Sequence, residues 1–241
     1  MIAVRSGVPP RWKTRRLIGP AIMTAAMLVV LTGLGTWQVR RLEWKQALLA
    51  EIARSEATAA IPLPRNPDPY AKVSLSGTLL SNQTALYGAE VRTTPAGPVM
   101  GGRMIVPLRQ SDGRIILVDR GWAPEVRTAP LAQPTGIVTF TGYVRPGSKP
   151  GWFSAKDNPA TRRFFTLDPN TIGDALGQPD VAPFILVVLA DRAEPRASYP
   201  EPAQTPPRPP NNHLAYAVTW YGLAVALMVI FTVWVKKGSH A

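Results

Sequence analysis

The chain has 241 residues, no cysteine and a formal net charge of +12. Without a thiol it can form neither a disulfide nor a thiolate metal site. Residues 1–16 hold five basic and no acidic side chains, Arg40 and Arg41 add two and Lys236 and Lys237 two more, while residues 42–212 hold 18 basic against 15 acidic groups. The excess therefore gathers at the borders of apolar runs instead of on one face, so nucleic-acid binding is not expected.

Residues 17–39 and 214–235 contain no charged side chain. Each run exceeds the roughly 20 apolar residues a helix needs to cross the hydrocarbon core of a bilayer, which predicts two transmembrane helices flanking everything else. A cleaved signal peptide also starts on basic residues. Here, however, the apolar run is longer than the roughly 7–15-residue core of a signal, and it ends in GLGTWQVRR rather than a small-x-small site. It reads as a retained anchor. The basic segment 1–16 and the tail 236–241 are expected in the cytoplasm, and the domain between the spans in the periplasm.

Residues 40–69 are expected to continue the first helix and then break it. Leu34, Trp37, Arg41, Trp44, Leu48 and Ile52 recur at three- and four-residue steps, and the four prolines in 61–69 (IPLPRNPDP) end any helix. The pattern then turns to period two. Val73, Leu75, Gly77 and Leu79 alternate with polar residues and predict a half-buried strand. RMIVPLRQSDGRIILVDRGW reads as a hairpin turning at Ser111-Asp112-Gly113, with Pro107 placing its strand at an edge or a bulge. Further strands are expected at 137–145, 162–167 and 183–190, with one short helix capped by Asp168 or Asn170 and stopped by Gly177. A Pro-rich linker, 201–213, leads into the second span. The predicted fold is a membrane protein of α+β class: two transmembrane helices flank a mainly antiparallel, barrel- or sandwich-like β domain over 70–200.

No enzyme is expected. The sequence contains no G-x-S-x-G, Walker-type loop or H-E-x-x-H, and the β domain has no histidine for a triad. Gly101-Gly102 reads as a turn in a loop. Asp119 beside Arg120, and Asp157 near Arg162 and Arg163, read as surface pairs or strand-end contacts. Of the two histidines, His240 is next to last, and His213 stands at the mouth of the second span. A plain reading makes His213 part of the helix start, with Asn211 or Asn212 capping it. The functional reading makes it a metal or haem ligand. His213, Tyr216, Ala217, Trp220 and Ala224 share one helical face, either as a flat groove with aromatic sides or as packing between the spans. Gly222 and Ala226 form a small-xxx-small pair suited to close packing.

Four stretches in order, GTWQVRRLEWKQALLAEI, DRGWAP, PGWFSAKDNPATRRFFTLD and NNHLAYAVTWYGLA, resemble the Surfeit locus protein 1 family, and the likeness runs from about residue 18 to 235. That resemblance implies an assembly factor for haem–copper cytochrome c oxidase that binds haem a and helps deliver it to the large catalytic subunit. It implies that His213 is the axial ligand. Arg40 and Arg41 are assigned by no family pattern; by charge they suit the haem propionates. Trp220 is included as a haem neighbour only by its position on the His213 face. The implied partners are the oxidase's large catalytic subunit, a haem a synthase and the lipid bilayer. The short stretch before the first span leaves no room for a long presequence, which favours a bacterial inner membrane. Two other readings stand beside this one: a membrane scaffold that steadies an oxidase subunit without touching haem, and a tethered periplasmic enzyme.

Overall fold

The computed structural model describes residues 11–94, 97–126, 131, 134–190, 199–208 and 211–239. His240, most of the first basic segment and the Pro209-Pro210 step of the linker lie outside the described residues. The chain forms two units, one helical (1–50 and 208–241) and one rich in β structure (51–207).

The helical unit contains the larger part of α1 (Arg11–Ala57) and all of α3 (His213–Ser239). Both are long and apolar enough to cross a membrane by length and composition. The expected span and its amphipathic continuation are one helix, which runs through Pro20 and stops before IPLPRNPDP. Within the β unit the last turns of α1 bury Ile52, and the Ser55 hydroxyl donates to the Tyr70 carbonyl at 3.0 Å.

The β strands are β1 (Ile61–Pro62), β2 (Lys72–Leu79), β3 (Ala85–Thr94), β4 (Gly97–Arg109), β5 (Ile115–Pro124), β6 (Ile137–Pro146), β7 (Arg163–Phe164) and β8 (Val181–Val188), with α2 (Pro169–Ala175) before the last. β2, β6, β8, β5 and β4 pair in that order, and β4 returns to β2 through Thr78↔Arg109 and Leu79↔Leu108. Five strands therefore close a small barrel, and β3 and β7 extend from β4. Alternation divides the side chains into two layers. Val73, Leu75, Met104, Val106, Leu108, Ile116, Val118, Val144 and Leu186 fill the interior, drawing on all five closed strands. Ile105, Leu117 and Ile185 point the other way and pack with Phe164, Leu167, Ile172 and Leu176 around α2.

The β2 strand, the 137–145 and 183–190 strands and the short helix appear where the pattern placed them, within two residues, and the hairpin turns where expected, although its first strand begins at Gly97, six residues before Arg103. The Asp168 side chain caps α2 by accepting the Asn170 N–H, and Gly177 follows it with φ +73°. The strand pairings are mainly antiparallel, as expected, with three parallel ones among them (β1–β2, β3–β7 and β5–β8). Three expectations are corrected. The strand expected over 162–167 shrinks to Arg163–Phe164. Pro107 lies in a strand paired on both sides: β3 leaves β4 at Ile105, and β2 joins it at Leu108. Pro107 falls in that gap, where its carbonyl accepts the Leu80 N–H at 2.9 Å and its missing donor costs no ladder bond. Finally, Gly101 and Gly102 are buried in β4, not in a loop. A Cβ on Gly101 would collide with the Trp122 ring and the Ala123 carbonyl, so the indole can be fully buried only against a glycine.

Asp119 is likewise not a surface residue. It is fully buried, its carboxylate accepts from Arg103 Nε and from the Gly121 N–H (3.0 Å), and Arg120 is not its partner. Burial pushes the Asp119 carboxyl up from its ordinary value, while the Arg103 charge and hydrogen bond pull it back. For Arg103 burial works against the charge, and the charge and hydrogen bond of Asp119 more than offset it. Asp157 fits the strand-end reading: its Oδ1 accepts the Phe165 and Thr166 N–H groups at 2.6 and 2.9 Å.

Candidate functional site

His213 is the first residue of α3. A helix start leaves backbone N–H groups without partners. Asn211 Oδ1 accepts the His213 N–H at 3.4 Å, and the Asn212 carbonyl accepts that of Tyr216 at 3.3 Å. Both asparagines thus serve the helix start, one by side chain and one by backbone.

The imidazole is half-buried, and its Nδ1 lies 2.7 Å from Gln38 Oε1 of α1. An amide oxygen only accepts, so Nδ1–H is the donor in this bond, and in the neutral imidazole Nε2 is then the nitrogen with the lone pair. Gln38 is itself buried, at 8% exposure. The sequence reading missed it, because one glutamine at the end of an apolar run has no periodic signature. A signal was nonetheless present. Between Trp37 and Arg41, Gln38 is the only side chain that offers an acceptor, and the end of one span faces the start of the next when two helices pair antiparallel.

Among the described residues of this unit, Leu31, Gly35 and Gln38 are buried on α1, spaced four and three apart, and Ala217 and Ala224 are buried on α3. The small residues of the His213 face therefore pack the helices together and leave no open flat groove at those positions. Tyr221 lies over Gly35, where a Cβ would come within 2.9 Å of the ring, and its hydroxyl is 3.1 Å from Thr36 Oγ1. An apolar cleft of about 330 Å³ follows, lined by Leu28, Val29, Thr32, Tyr221, Ala224, Val225 and Met228. Gly222 and Ala226 take no part. Both are exposed and a Cβ on Gly222 would meet nothing, so the small-xxx-small pair expected to join the helices faces away.

The remaining candidates differ in how they relate to His213. At 3.6 residues per turn, Arg41 lies about 60° round the helix from Gln38, whereas Arg40 lies about 160° away on the far side. Both are exposed, and the Arg41 guanidinium stacks 4.6 Å from the Trp44 ring centroid. Trp220 is half-buried, two turns from His213 along the same side of α3. The structure therefore joins His213 to Gln38, sets Arg41 and Trp220 within two turns of that pair, and turns Arg40 away.

Comparison with known proteins covers nearly the whole chain. The SURF1 family model matches residues 25–225. A SURF1-like protein of Monosiga brevicollis is 29% identical over 228 residues, spanning 88% of this chain and 86% of its own length. A SURF1-like protein of Rickettsia conorii is 27% identical over 213 residues (86% and 88%), and Surfeit locus protein 1 of Xenopus tropicalis is 29% identical over 230 (87% and 72%).

Proposed function

Because the chain belongs to the SURF1 family, we propose that it is a membrane-anchored, non-enzymatic assembly factor for haem–copper cytochrome c oxidase, which holds haem a through His213 on its way to the large catalytic subunit. The observation that carries this reading is the Gln38–His213 hydrogen bond. A histidine ligates through an unprotonated nitrogen, and a bond that fixes the proton on Nδ1 leaves Nε2 ready. The residues present fit the group. One imidazole supplies the axial donor, Arg41 stands within a turn of Gln38 for a propionate, and the cleft between Leu28 and Met228 suits an apolar tail. When bound, the haem is cargo and supplies the iron that the oxidase later uses.

The chain's own part is to bind, orient and let go. Gln38 holds the imidazole plane against α1. A single protein ligand at a helix start, backed by exposed cations, keeps the cargo removable. The bilayer and a haem a synthase complete the proposed setting, a bacterial inner membrane with both termini in the cytoplasm and the β unit in the periplasm. Two apolar helices and the basic clusters beside them support that topology. A reporter active only in the cytoplasm is expected to work when fused after Lys237 and to fail when inserted at Gly113; the reverse pattern would invert the topology.

The function is tested by colour. Protein purified from cells that make haem a is expected to carry a Soret-absorbing pigment whose pyridine haemochrome spectrum is that of haem a. A colourless preparation from the same cells would favour the scaffold that steadies an oxidase subunit without haem.

A further inference from the structure

The segment between β6 and β7 does something that folding does not require. Every residue from 147 to 156 is exposed, and at its tip Trp152 and Phe153 are each 101% exposed, as open to water as in a free peptide. Aromatic rings normally bury roughly 150–250 Å² each. An unneeded pair would be expected to fold back onto the barrel.

The segment is nonetheless ordered at its base. The Ser148 N–H donates to the Leu167 carbonyl at 2.8 Å, and Asn158 and Arg163 exchange backbone bonds of 2.7 and 3.0 Å. Asp157 is committed to the Phe165 and Thr166 amides. The tip itself is a turn, with Ser154 N–H on the Gly151 carbonyl (3.1 Å) and Gly151 N–H on Ser154 Oγ (2.8 Å). The fold thus holds two aromatic rings out into solvent on a braced turn.

Charge indicates what they meet. Residues 147–163 hold Lys149, Lys156, Arg162 and Arg163 against Asp157, a net +3 that equals the excess of the whole stretch 42–212. Arg163 is drawn to Glu125, 3.7 Å away, but the two lysines flank the aromatics and are exposed. We propose that the Trp152–Phe153 turn is a membrane-surface anchor that seats its rings at the headgroup level of an anionic bilayer, with Lys149 and Lys156 on the lipid phosphates. Trp favours that depth, and lysine stems reach outward while their ammonium groups stay at the phosphates. A protein-docking hot spot is ringed by packed residues that exclude water, and this narrow tip has no such ring. The inference rests on the membrane-anchored reading above, in which the β unit is tethered to a bilayer through both of its ends.

The absence of cysteine makes the test clean. Full-length chain carrying Ala155→Cys, labelled with a polarity-sensitive fluorophore, is reconstituted into vesicles of phosphatidylcholine with phosphatidylglycerol. The label is expected to shift to the blue, to be quenched by nitroxide-bearing lipid and to be shielded from aqueous iodide. Trp152→Asp with Phe153→Asp abolishes all three effects. Lys149→Gln and Lys156→Gln each lower the seated-to-free ratio roughly five-fold, and phosphatidylcholine alone or high salt, which weakens the attraction of both, lowers it further. A label that stays open to iodide in a chain that resists alkaline extraction from the membrane overturns the proposal and leaves the anchored reading intact; a chain released by alkali overturns both. Shielding that appears only when oxidase subunits are added overturns the lipid assignment in favour of a protein partner.

Discussion

Asp119→Ala is expected to lower the thermal midpoint of the detergent-solubilised full chain by roughly 6–20 °C. Removing one member of a buried ion pair costs about 3–5 kcal/mol, because the other charge stays behind without a partner; for a chain of this size each kcal/mol moves the midpoint by about 2–4 °C. Arg103 is already strained for partners, since its Nη2 is buried and makes no hydrogen bond among the described residues. The Gly121 N–H loses its acceptor in the same step. Arg103→Ala combined with Asp119→Ala is expected to cost less than the sum of the two single changes, because it removes both halves of the problem. Circular dichroism melts of the four proteins check this, and additive costs would show that the pair is not coupled.

His213→Ala is expected to strip most of the haem pigment from the purified protein while leaving its yield in the membrane unchanged. The proposed axial bond is lost outright, whereas the helix depends on the apolar run 214–235 and only one side-chain hydrogen bond disappears, worth about 1 kcal/mol. Gln38→Leu is the finer experiment. It keeps the ligand and removes the group that sets its proton, and the loss of such a supporting partner weakens metal binding roughly 10–100-fold. Gln38→Glu, which still offers Nδ1 an acceptor, is expected to retain pigment. Imidazole ¹⁵N shifts of the pigment-free protein report the tautomer directly, and an unchanged tautomer in Gln38→Leu would separate the glutamine from the ligand's chemistry. Arg41→Ala is expected to cost little, about 0–1 kcal/mol for an exposed ion pair, and Arg40→Ala less still, because it points away from His213.

Local signals in the sequence were legible because their causes are local. Alternation at Val73, Leu75 and Leu79, glycine at the 111–113 turn and an aspartate cap at 168 each act within a few residues. What the sequence hid was set by distant neighbours. β3 and the first half of β4 are not anticipated, because YGAEVRTTPAGPVMGG is glycine- and proline-rich and resembles loop; Gly101 is explained only once Trp122 is known to lie against it. In the sequence Asp119 stands beside Arg120, but neighbours along a strand point to opposite faces, and its partner is Arg103 on the adjacent strand. Likewise His213 was visible as a lone ionisable group at a helix mouth, whereas Gln38 became visible only when the two helices were set side by side.

That pairing also has a timetable. Gln38 and His213 are separated by 175 positions in the chain. At a synthesis rate of roughly 5–20 residues per second, about 9–35 seconds pass after the glutamine is made before the histidine exists. During that interval the growing chain holds the glutamine without the histidine it pairs with. The hydrogen bond between them can form only after the whole β unit, residues 51–207, has been synthesised.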